Sequence, residues 1–179
     1  MKLLILYATK SGTTKTCADL LAREFPRGSV EVLPVARAES FDDYDFVILG
    51  ASVRLGKLHK DMRSFLQKNA EKLPAGRTGC YYCCGLAGDA DRYDEKLYPE
   101  SVLKKSFAVM TFGGELRSEK QKGLFDRLFV RYFRSLALGG GDNGEAREDI
   151  ALPSIAESNI HVFAEKIKTL CGEKSGLDE

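Results

Sequence analysis

Along the chain, short apolar runs alternate with stretches whose apolar residues recur every three or four positions. Residues 2–8, KLLILYA, are too continuously apolar for a half-exposed strand and predict one buried on both faces. From Thr13 to Phe25, Cys17, Leu20, Leu21 and Phe25 fall at helical spacing, and Pro26 with Gly28 closes the segment. Residues 29–35, SVEVLPV, alternate as a second strand does, and 46–52, FVILGAS, predict a third of the fully buried type. Met62, Phe65, Leu66 and Leu73 mark an amphipathic helix over 59–72. Residues 77–85 predict a fourth strand, 93–106 a loop plus helix, and 107–116 a fifth strand. Ile155, Ile160, Phe163, Ala164, Ile167 and Leu170 share one face of a last helix over 154–170, with Ser154 as its N-cap.

Strands that alternate with helices imply right-handed crossovers and a parallel sheet covered on both faces. Five strands predict an α/β three-layer sandwich in the order 2-1-3-4-5, one domain over 1–179, with 117–148 inserted after or within the fifth strand. Ligands of such sheets bind beyond the carboxyl ends of the strands, at the switch point between strands 1 and 3. That rule selects the loops 8–14, 50–58 and 85–93.

The first loop, ATKSGTT, crowds Thr9, Ser11, Thr13 and Thr14 around Gly12 just where a helix begins. A helix start presents unsatisfied N–H groups and the positive end of a dipole, so this loop predicts a site for a terminal monophosphate. It has neither the Gly-Lys-Ser/Thr of a nucleoside triphosphate loop nor the three glycines of a dinucleotide fingerprint. A hydroxyl cap on an ordinary crossover helix is the competing reading, although a single cap accounts for one of the four hydroxyls.

Composition narrows the classes. The 179 residues are 44% hydrophobic and 30% charged, as in an ordinary globular domain. A net charge of +1 leaves no global field to recruit nucleic acid. The N-terminal apolar run is too short for a signal peptide and is followed by no small-residue cleavage site. Five cysteines, an odd number, then predict reduced thiols and a cytoplasmic chain. Cys80, Cys83 and Cys84 lie on a strand, with Cys80 and Cys84 on one face and Cys83 on the other. Cys17 and Cys171 are isolated, so no metal site is expected.

From Gly50 the third strand continues into a Gly-containing loop, Ala51, Ser52, Val53, Arg54, Leu55 and Gly56, ahead of His59, and a later run reads Phe112-Gly113-Gly114-Glu115-Leu116-Arg117. With the first loop, these stretches resemble the flavodoxin superfamily. Within it they are most similar to the menaquinone-dependent protoporphyrinogen IX dehydrogenase group of haem biosynthesis. The resemblance implies a flavodoxin-like fold and non-covalent FMN. Thr9, Lys10, Ser11, Gly12, Thr13 and Thr14 would hold its phosphate. Ser52, Val53, Arg54, Leu55 and Gly56 would flank the flavin ring on one side. Cys84, Gly85, Leu86, Ala87, Gly88 and Asp89, with Tyr93 as the nearest aromatic, would flank it on the other. The chain has no Trp to sandwich the ring.

Two residues are candidates for catalysis. Arg54 beside a flavin would favour its reduced anion or a carboxylate-bearing substrate. His59 would relay protons near neutral pH. Each also has a plainer reading as a surface residue. His161, on the last helix, reads as structural.

Residues 117–148 exceed a minimal five-stranded fold. Leu124, Phe125, Leu128, Phe129, Tyr132, Phe133 and Leu136 make an apolar stripe opposite Arg127, Arg131 and Arg134, and Gly139-Gly140-Gly141 ends it. The stripe packs on the chain itself or on a second subunit, as a homodimer, or else residues 120–138 touch a membrane surface at the inner face of the cell membrane. Two functional classes follow. One is an FMN oxidoreductase passing electrons from a porphyrinogen to a quinone. The other is an electron carrier between redox proteins with no substrate of its own, against which the absence of acidic bias speaks. An FMN-binding interaction module is a third reading. A phospho-acceptor receiver domain is disfavoured, because Tyr7-Ala8-Thr9 supplies no acidic cluster at the end of strand 1.

Overall fold

The computed structural model describes residues 1–84, 97–114 and 154–175. In chain order the elements are β1 (Leu3–Ala8), α1 (Thr13–Arg23), β2 (Val30–Pro34), β3 (Phe46–Arg54), β4 (Lys57–Leu58), α2 (Lys60–Asn69), β5 (Thr78–Cys83), α3 (Glu100–Leu103), β6 (Ser106–Thr111) and α4 (Glu157–Ser175). The five long strands pair in the order β2-β1-β3-β5-β6, all parallel. This is the predicted 2-1-3-4-5 order. The difference is a sixth strand, the two-residue β4, which turns back antiparallel on the end of β3.

Continuous apolar runs become central strands because both faces of this sheet are covered. Leu4, Leu6, Val47, Leu49, Cys80 and Tyr82 point to the face packed by Met62, Phe65 and Leu66 of α2. Leu3, Ile5, Phe46, Ile48, Tyr81 and Cys83 point to the other, against Cys17 and Leu21 of α1 and Phe163 and Ile167 of α4. The cysteines of β5 therefore divide between the two faces as their spacing predicts, and all the cysteines are free thiols.

Two boundaries differ from the sequence reading. β3 continues to Arg54 and enters a hairpin, where a plain loop over 52–56 was expected. α4 starts at Glu157, so Ser154 is not its N-cap. The Ser154 carbonyl instead accepts the Gly114 N–H at 3.1 Å, and the Ala156 N–H donates to the Phe112 carbonyl at 3.0 Å. The described chain thus ends at Gly114 beyond β6 and resumes beside it at Ser154; the expected insertion over 117–148 lies outside the described residues. The predicted stripe at 124–136 and the membrane or subunit contact through 120–138 lie outside the described residues. No helix among the described residues is long and apolar enough to cross a membrane.

Candidate functional site

The parallel register sets Ala8 beside Ala51 and Ser52 beside Cys83. The chain segments that follow β1, β3 and β5 therefore emerge together at the carboxyl edge of the sheet, where the strand order reverses between β1 and β3.

The first of these segments is built for an oxyanion. Gly12 is the N-cap of α1 in a left-handed conformation (φ 92°), and the space above its Cα is open to at least 4 Å. Its N–H donates to Thr9 Oγ1 at 3.1 Å, which folds the loop over the head of the helix. No side chain caps α1 and no acidic residue lies in its first turn, so the first N–H groups await an acceptor from elsewhere. Thr13 Oγ1 and Thr14 Oγ1 are buried without a hydrogen-bond partner among the described residues. A hydroxyl hidden that way costs about 1–3 kcal/mol unless something pairs with it. The Thr14 hydroxyl lies close enough to Cys83 to favour the ionised thiol, so Thr13 is the stronger side-chain donor. These features fit a phosphate monoester. Ser11 is half-buried and Lys10 exposed at the outer side of the loop.

The second segment is the β3–β4 hairpin. Val53 pairs with Leu58 and Arg54 with Lys57, and Leu55 (φ 49°) and Gly56 (φ 69°) make the turn. Two left-handed residues give a turn whose twist matches that of the strands. Leucine is strained there, and its side chain is 77% exposed. Val53 packs into the core on the α2 side, as does Cys84, so both can meet a ligand only through the backbone. Ser52 and Arg54 are half-buried. Gly85, Leu86, Ala87, Gly88, Asp89 and Tyr93 lie outside the described residues.

His59 closes the hairpin. Its N–H donates to the Ser52 carbonyl at 2.9 Å, and its Nδ1 accepts the Asp61 N–H at 3.3 Å as the N-cap of α2. Burial holds its imidazole below the ordinary value. The charges of Lys60, Lys10 and Arg54 push the same way, against Asp61. His59 is therefore neutral at pH 7, with Nδ1 committed to the cap. The positive charges that act on His59 come from the first loop (Lys10), the hairpin (Arg54) and the start of α2 (Lys60). Lys60 was not singled out from the sequence, because a charge at a helix start carries no signal of its own.

The thiols near this edge are packing groups. Cys83 lies 3.6 Å from Cys17 between sulfurs and ionises far above the usual range, through that contact and through burial. Burial likewise pushes Cys80 up to about 12.

A doubly wound sheet with an oxyanion loop at its switch point defines the class of nucleotide-type cofactor binders. Residues 4–142 match the Flavodoxin domain family, and the chain belongs to it. FMN is its cofactor. The chain is 33% identical over 160 residues to protoporphyrinogen IX dehydrogenase (quinone) of Escherichia coli K12, covering 83% of this chain and 86% of that protein. A protein of the same name from Leishmania major is 25% identical over 159 residues, 82% of this chain and 67% of that one. Among solved structures, a flavodoxin from the domain Archaea superposes with a TM-score of 0.52 at 16% identity, covering 74% of this chain and 92% of that one. That likeness speaks to the fold.

Proposed function

We propose that the chain is an FMN-dependent dehydrogenase that takes electrons from a reduced porphyrinogen and passes them to a quinone. The observation that carries this reading is the 33% identity to the Escherichia coli protoporphyrinogen IX dehydrogenase (quinone) across most of both chains. A match of that extent supports a shared reaction better than the fold does, since one fold serves many chemistries.

In this reading the backbone N–H groups at the head of α1 hold the phosphate, with Thr9, Lys10, Ser11, Gly12, Thr13 and Thr14. Ser52, Leu55, Gly56 and the backbones of Val53 and Cys84 flank the ring, together with 85–89 and Tyr93. Bound there, FMN would supply the redox chemistry between the organic substrate and the quinone. The chain supplies binding, orientation and charge. Arg54, with Lys10 and Lys60, favours a carboxylate-bearing substrate. His59 anchors the hairpin through its cap and keeps a neutral ring there. Contact of residues 120–138 with a membrane surface gives access to a lipid-soluble quinone, which sets the chain at the inner face of the cell membrane.

The test is spectroscopic. Under anaerobic conditions the FMN-loaded chain loses its visible flavin band on mixing with protoporphyrinogen IX and regains it with menadione. A flavin that ignores porphyrinogen but is readily reduced by a ferredoxin reductase would instead make the chain an electron carrier.

A further inference from the structure

Tyr81 lies in the middle of β5, fully buried, and its hydroxyl crosses to α1 and donates to the Thr14 carbonyl at 2.9 Å. Three features fix its ring. It stacks on Phe112 with centroids 4.3 Å apart and planes 13° from parallel. It covers Gly50 so closely that a Cβ there would meet the phenol end of the ring at 2.0 Å from Cζ. On the main-chain side, the Tyr98 hydroxyl lies 2.8 Å from the Tyr81 carbonyl and 3.1 Å from that of Leu49. The hydroxyl is thus delivered to one atom of the first turn of α1.

That atom belongs to the peptide group joining Thr14 to Lys15. With Gly12 as N-cap, the Lys15 N–H is the third of the helix's leading donors, which have no partner within the helix. Donation to a peptide carbonyl polarises the same peptide, so its N–H becomes a better donor. We propose that Tyr81 is a positioning residue for phosphate recognition: through the Thr14 carbonyl it aims and strengthens the Lys15 N–H toward the phosphate of FMN. The inference rests on the first loop being the phosphate site, as in the reading above. It also explains why a buried central strand carries glycine at position 50: any side chain there would displace the tyrosine ring.

Tyr81→Phe keeps the ring and removes only the donor. The full-length chain, stripped of flavin, is titrated with FMN and with riboflavin, which lacks the phosphate, by quenching of flavin fluorescence. The expected result is a loss of FMN affinity on the order of tenfold with riboflavin affinity unchanged. The preference for FMN over riboflavin is a readout that general loosening of the core would not shift selectively. Equal losses for both flavins, or no loss for either, overturn the role of Tyr81. If wild-type chain itself binds riboflavin as tightly as FMN, the phosphate reading of the loop fails first. Should Tyr81→Phe not fold, Phe112→Leu, which loosens the ring's seat and keeps the hydroxyl, is titrated in the same way. An FMN-selective loss there supports the proposal, and parallel losses overturn it.

Discussion

Thr13 hides its hydroxyl from water without giving it a partner among the described residues, an arrangement that weakens the flavin-free fold. The same hydroxyl becomes an asset once a phosphate oxygen meets it. Thr13→Val should therefore raise the stability of the flavin-free chain by about 1 kcal/mol in urea unfolding while FMN affinity falls several-fold. A fall in both would mean that the hydroxyl already has a partner. His59 shows the opposite kind of residue, one whose job is met inside the protein. Its pKa is lowered from 6.5, so the fold prefers the neutral ring. The stability tied to it is complete above the unfolded value and is lost as pH falls below it toward the folded one. His59→Asn keeps an N-cap acceptor and removes that titration. Between pH about 7.5 and about 5 the urea midpoint of the variant should therefore fall less than that of wild type. Equal slopes would locate the titration elsewhere. The loop at Thr9–Thr14 was legible because four hydroxyls around one glycine exceed what a turn needs. The cap role of His59 was not, since it depends on α2 starting one residue later, at Lys60.

Among the elements, β3 and β5 do most to shape the carboxyl edge. Gly50 and Tyr81 pair in register, and the ring lies across the glycine. Gly50→Ala must push the ring out of its stack on Phe112, an overpacking cost of about 3 kcal/mol. Thermal unfolding of the flavin-free variant should show the loss directly, and a wild-type midpoint would refute the close approach. Every long strand was readable in the sequence, because apolar runs such as those of Leu3–Ala8 and Phe46–Leu49 leave a doubly buried strand as the simplest reading. β4 was not. Two residues carry no periodicity, and a hairpin turn that puts leucine first lacks the usual Asn-Gly or Asp-Gly signal. Tyr81 also escaped notice, although glycine inside an apolar run is itself a sign that something approaches closely.

At the scale of the molecule, the two described ends that flank the expected insertion meet beside β6. Gly114 and Ser154 are joined by a backbone hydrogen bond of 3.1 Å, so the path through 115–153 begins and ends in one place. Replacing residues 117–148 by a short glycine-serine linker should leave FMN affinity within about two-fold of wild type. Turnover with a porphyrinogen and menadione should be lost. Loss of FMN binding on that deletion would show that the insertion belongs to the cofactor site. Net charge and composition said little of the substrate, because a carboxylate-binding role for Lys10, Arg54 and Lys60, as proposed above, depends on charges that only the folded chain brings near His59. In the proposed function, FMN binding turns on a phosphate held at the head of α1. Calorimetric titration of the flavin-free chain tests it most directly. One FMN per chain should bind, weakened by added inorganic phosphate, while riboflavin binds more weakly and is not weakened by phosphate. FMN binding no tighter than riboflavin, and indifferent to phosphate, would contradict it.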